Sequence, residues 1–206
     1  MPNWCESKIE ITGRDTGKFY NFIKKSQEDN PAKDRTGFGA TWLGNLLLSA
    51  GKDFEKICDR EYPVVCRGSY GNVDFTDGVL TLYAESAWSP CYDLFRYIAQ
   101  TMCFDVDVDF YAEEPGCEIY VASGENMTNG GNCVVDGYVN TSSPFYDLIG
   151  FWDYEKLVSK LKEKLETTEE TDLTKLSSMV NEAVNDNDEF ISIHQIKFEM
   201  RAKTRR

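Results

Sequence analysis

Residues 89–111 read SPCYDLFRYIAQTMCFDVDVDFY, and this stretch decides the fold. Its first half predicts a helix. Pro90 suits a first helical turn with Ser89 near its cap, and Leu94, Phe95, Ile98 and Met102 recur at helical spacing to about Met102. Its second half predicts a strand from Phe104 to Tyr111. Phe104, Val106, Val108 and Phe110 point one way, and Asp105, Asp107 and Asp109 point the other.

Working back toward the N-terminus, residues 68–74 and 79–84 read as strands joined at Thr76-Asp77-Gly78, a hairpin. Trp42 to Ala50 predicts a short helix with Leu43, Leu46 and Leu47 on one side. Residues 28–37 are loop. Residues 15–27 carry Phe19, Phe22 and Ile23 at helical spacing behind an Asp15 or Thr16 cap, and residues 4–12 form a strand that enters a turn at Gly13. The order strand, helix, strand, strand, helix, strand predicts an α+β protein with the ferredoxin-like split βαβ arrangement.

Past that core, Glu114-Pro115-Gly116 turns the chain, and residues 117–122 and 133–139 add strands around a Gly/Asn-rich loop. The antiparallel sheet is therefore expected to be extended. Asp153 to Leu165 and Asp172 to Val184 predict two helices joined by TTEET, and Glu189 to Met200 predicts a final strand before a basic tail. Two domains are expected. Residues 1–140 form the ferredoxin-like part with its acidic face, and residues 141–206 form a helical extension with the last strand and the tail. Pattern alone leaves open whether that strand joins the main sheet.

Charge is distributed unevenly. Residues 68–155 hold fifteen acids and one base, Arg96, within a chain of net charge −13. Such a block repels nucleic acid and anionic membrane and attracts basic surfaces. At 41% hydrophobic and 13% aromatic residues the chain can bury a substantial core. No apolar run approaches the ~20 residues of a membrane span, and MPNWCESKIEITG lacks the pattern of a secretory signal. A cytoplasmic protein is expected. Seven cysteines show no C-x-x-C spacing, so they read as small, reduced core residues rather than zinc ligands.

MPNWC at residues 1–5, Trp42 following Gly39, ESAWSPCYDLFRYIA at residues 85–99 and AEEPG at residues 112–116 together resemble the YubB-type ferredoxin-like family of plasmid and phage proteins. The resemblance covers roughly residues 1–140. Ser7 stands where the family usually has Asn, and Cys91 where it often has a second Pro. The resemblance implies the ferredoxin-like fold and a mobile-element origin in a bacterial cell. It implies no activity and carries no catalytic residue.

The candidate partner-binding residues are Asp105, Asp107 and Asp109, continued by Glu113, Glu114 and Glu118. A solvated face accounts for alternation of this kind. Side-by-side like charges are costly, however, and no lysine relieves them, so an acidic row that mimics a phosphate backbone is the sharper reading. D-x-D-x-D lacks the glycine and distant glutamate of a calcium loop, and no metal site is expected. Trp4, Trp42 and Trp88 read as core aromatics. His194, the one histidine, sits in the strand pattern ISIHQIKF without a nucleophile motif. No phosphate-binding or dinucleotide motif is present, so no cofactor and no catalytic residue is assigned. The sequence therefore predicts a non-enzymatic acidic protein of a phage or other mobile element. Its expected role is counter-defence of the anti-CRISPR or anti-restriction type. Its expected partner is a basic, nucleic-acid-handling host protein such as an effector or nuclease, rather than nucleic acid or membrane. Two alternatives remain at this point. One is an interaction module that binds through its C-terminal helices and tail, with the acidic face serving solubility. The other is an enzyme with an acidic, Mg-dependent pocket.

Overall fold

The computed structural model describes residues 3–32, 37–52, 64–168, 172–184 and 189–199, which form an α+β protein. Two compact units divide it, the first reaching to Ser123 and the second running Gly124–Glu199.

The first unit contains β1 (Trp4–Gly13), α1 (Thr16–Asp29), α2 (Leu43–Ser49), β2 (Gly68–Thr76), β3 (Val79–Ala87), α3 (Tyr92–Thr101), β4 (Val106–Glu114) and β5 (Ile119–Ala122). Its strands lie in the order β2-β3-β1-β4-β5, with every neighbouring pair antiparallel. This is the split βαβ order predicted from the sequence, since β1 enters between β3 and β4. Alternation on β1 places Cys5, Ser7, Ile9 and Ile11 inward. There Cys5, Ile9 and Ile11 share one apolar core with Phe19 and Ile23 of α1, Leu43, Leu46 and Leu47 of α2, and Leu94, Phe95 and Ile98 of α3. All three helices thus lie on one face of the sheet. Buried Asn45 fastens α2 to the loop before it, accepting from the Ala32 N–H at 3.0 Å and donating to Asn30 Oδ1 at 3.0 Å.

Three boundaries differ from expectation. The third helix begins at Tyr92, with Pro90 preceding it, and Met102 is its C-terminal cap, so that side chain is 37% exposed rather than buried. β4 begins at Val106 because Asp15 holds the chain at Asp105. Its carboxylate accepts the Asp105 N–H at 3.0 Å, and its own N–H donates to the Asp105 carbonyl at 3.2 Å. At Gly13 (φ +138°) a Cβ would lie 2.6 Å from that same carbonyl, so only glycine fits the close approach of β1 to β4.

The second unit contains β6 (Cys133–Tyr138), β7 (Gly150–Trp152), α4 (Tyr154–Lys164), α5 (Leu173–Val184) and β8 (Phe190–Gln195). Its sheet has the order β7-β6-β8. Residues 133–139, expected to close the first domain, instead form the central strand of this second sheet. β7 was not anticipated, and it pairs only three residues, Gly150 to Trp152, with β6. The last predicted strand breaks at Ile196, and its first part pairs with β6, placing His194 opposite Val134. Leu157 and Leu161 of α4 and Leu176, Val180 and Val184 of α5 pack on Val135 and Ile191. Asp153 caps α4 by accepting the Lys156 N–H at 3.1 Å. The basic tail, from Met200 on, lies outside the described residues.

Candidate functional site

The predicted acidic row does not survive as a row. Asp107 is exposed on β4, and Asp105 is exposed just before it, paired with Arg14 at 2.8 Å. Asp109 shares their face but is buried at 6% exposure, because the Ser123 hydroxyl at the end of β5 donates to Oδ1 at 2.8 Å. The same hydroxyl accepts the Phe110 N–H at 3.0 Å, which clamps Ser123 onto β4. Glu114 faces the other way, on the side of Phe110 and Ala112, and is buried at 4% exposure. It caps the turn at residues 115–117, where Oε1 accepts the Gly116 N–H at 3.0 Å. Glu118 is exposed but follows that turn in the left-handed region (φ +53°), off the strand. Asp109 and Glu114 are therefore corrected from binding to structural roles. Burial withdraws both from a partner, and period-2 alternation had already put Glu114 opposite Glu113.

A different acidic row runs across the strands instead of along one. Register sets Glu6 of β1 directly opposite Glu85 of β3 and Glu113 of β4. Directly opposed side chains have Cβ atoms about 4.5–5.5 Å apart, where like charges destabilise. The next row is Tyr83, Lys8 and Tyr111, and the one beyond it holds Glu10 and Asp109. Lys8 reaches back to Glu10 at 2.8 Å. The Tyr111 hydroxyl donates to Glu113 Oε2 at 2.6 Å. Glu6, Glu85 and Tyr83 are exposed, Tyr83 at 53%. On the β2 side, Ser69, Gly71 and Asn72 complete a groove of about 440 Å³ over this face. Lys8 is the one base among the described residues that line it. Sequence reasoning missed Glu6, Glu85, Tyr83 and Tyr111. Each sits at an outward position of a recognised strand, but only the pairing register makes them neighbours.

Asn3, Trp88 and Cys117, beside or within the stretches that carry the resemblance, meet at one end of this sheet. The Trp88 N–H donates to the Asn3 carbonyl at 2.9 Å, and Asn3 Nδ2 donates to Cys117 Sγ at 3.6 Å. Trp42 is buried as expected, but Trp4 and Trp88 are 39% and 51% exposed. Trp4 points outward on β1, and Trp88 follows β3 in the left-handed region at φ +72°. Inside, Cys5 and Cys91 lie together. Burial pushes the Cys5 thiol up to about 12, with Cys91 adding to it. Burial pushes Cys91 to about 11, with the neighbouring Ser86 and Ser7 hydroxyls acting in the lowering direction. A hydrogen bond to Glu114 raises the exposed Cys117 thiol. Because the thiolate is the nucleophile, alkylation of the native protein at pH 8 should modify Cys103 first and Cys117 more slowly, sparing Cys5, Cys66, Cys91 and Cys133. Peptide mass mapping over a time course checks this; early modification of Cys5 or Cys91 would show the buried pair to be open. Cys58 lies outside the described residues.

Among the described residues no group of three or more His, Cys, Asp or Glu is arranged to hold a metal ion, and no helix is long and apolar enough to cross a membrane. Compared with known proteins, the chain matches no family model, no curated protein and no solved structure.

Proposed function

We propose that this is a non-enzymatic acidic binding protein of a phage or other mobile element, which engages a basic, nucleic-acid-handling host protein and serves as a counter-defence inhibitor of the anti-CRISPR or anti-restriction type. The observation that carries this reading is the line Glu85–Glu6–Glu113 across three adjacent strands. A sheet face that served only solubility would mix signs, since directly opposed like charges destabilise the pairing. Exposed Asp105 and Asp107 extend the same outward face along β4. Together they present carboxylates in two dimensions, where a basic groove built for phosphates offers Lys and Arg. The mobile-element setting rests on the resemblance of MPNWC, AWSPC and EEPG. Asn3 bonds both Trp88 and Cys117 at one end of the sheet, which supports reading those segments together.

The test is capture of partners from a bacterial lysate by the immobilised full chain, at low salt and at about 0.5 M salt, where screening collapses surface electrostatics. Mass spectrometry should identify a basic nuclease or nucleic-acid-binding effector that salt releases and that the variant Glu6→Lys/Glu85→Lys fails to retain. Inhibition of that protein's activity by the wild-type chain completes the case. Capture indifferent to both salt and charge reversal defeats the proposal.

A further inference from the structure

The outward face of β2-β3-β1 has chemistry more selective than bulk acidity. The helices of its unit pack on the other side, leaving Glu6, Glu85 and Tyr83 at an open groove. Glu6 and Glu85 are a direct cross-strand pair. Two carboxylates held side by side can each take one edge of the same planar guanidinium, whose five N–H donors suffice for both. Tyr83 is the next outward residue on β3, about 7 Å along the strand, and its ring is 53% exposed. An exposed phenol face at that spacing can cover a planar cation. Glu113 closes the row from β4, its carboxylate positioned by the Tyr111 hydroxyl at 2.6 Å. Lys8 would compete for the same carboxylates, but Glu10 draws its ammonium to the far side of the tyrosine row, at 2.8 Å.

We infer that this groove receives an arginine side chain from the basic partner, its guanidinium forked between Glu6 and Glu85 and covered by Tyr83. The inference rests on the proposed function and specifies the partner's contact chemistry. Charge complementarity calls for a cation. The paired carboxylates beside an open aromatic ring favour a planar, forked cation over a compact ammonium.

The probes are hexa-arginine and hexa-lysine peptides, titrated by calorimetry into the full chain at low salt. Hexa-arginine should bind more tightly than hexa-lysine. Glu6→Gln/Glu85→Gln should weaken hexa-arginine at least about tenfold, the loss of one or more charge-assisted contacts. Asp74→Asn/Asp77→Asn removes the same charge from exposed positions of the β2-β3 hairpin outside the groove and should weaken it less than about threefold. Tyr83→Leu should erase the preference for arginine over lysine while leaving the charge unchanged. Equal weakening by the two neutralised pairs, or equal binding of the two peptides to the wild-type chain, overturns the inference. Salt-sensitive capture of a basic host protein would then still stand by its own test. Sedimentation of the unliganded chain covers the remaining occupant, since the chain itself ends RAKTRR. A low-salt dimer abolished by Glu6→Gln/Glu85→Gln would place a second copy in the groove and overturn assignment to a host partner.

Discussion

Glu6→Lys is expected to raise the melting temperature of the full chain while abolishing salt-sensitive capture of a basic partner. Most substitutions destabilise, so a rise is diagnostic. Glu6 stands between Glu85 and Glu113, directly opposite both. Lysine there converts two repulsive cross-strand pairs into attractive ones, each worth roughly 0.2–1 kcal/mol relative to a neutral pair. The combined gain is about 1–2 kcal/mol, and for a chain of this size that is about 3–6 °C in Tm. Glu6 is exposed on an outward position of β1, so the longer side chain meets solvent rather than core. Differential scanning calorimetry at low salt measures the shift, which should shrink at high salt as the repulsion is screened. A fall in Tm would show that the glutamates are not in conflict and that their juxtaposition carries no cost kept for binding. A rise with capture intact would leave the conflict real but its binding role refuted.

Gly68→Ala is expected to cost about 3 kcal/mol, the upper end of overpacking penalties. Gly68 begins β2 opposite Ser86 of β3, and a Cβ at that position would lie 1.9 Å from the Glu85 carbonyl oxygen and 2.8 Å from Ser86 Cα. Backbone atoms cannot rotate away as a side chain can. The edge strand β2 must shift from β3, at the residue whose side chain helps form the acidic row. Loss of binding should therefore accompany loss of stability. Gly71→Ala is the control on the same strand, with nothing within 4 Å of its added Cβ and an expected change within about 0.5 kcal/mol. Chemical denaturation of the two variants separates the cases; equal stabilities would contradict the close approach of β2 to β3.

Much of the fold was legible from local pattern. The alternation in FDVDVDF located β4, Thr76-Asp77-Gly78 located the hairpin turn, and the spacing of Leu94, Phe95 and Ile98 located α3. Each signal lies within a few residues of its element, where the periods 2 and 3.6 are set by backbone geometry. The misplacements arose where distant residues intervene. Asp15 delays the start of β4 at Asp105, and Ser123 draws Asp109 out of solvent. β6 pairs with β7 and β8, two segments that follow it in the chain, rather than with the strands before it.

The candidate site was less legible than the fold. Its acidity was visible as a count, and β4 was the obvious place to look because three aspartates alternate there. Yet Asp109 and Glu114 serve the structure, and the outward row comprises exposed Glu6 and Glu85 with half-buried Glu113, which are separated by tens of residues.

By itself, the sequence determined that a split βαβ sheet forms and which residues of β4 share a face, because alternation is a property of one strand. Only the tertiary structure decided which outward side chains became neighbours. That depends on the register between strands, and a shift of one residue would replace Glu6 with an inward-facing neighbour and dissolve the row.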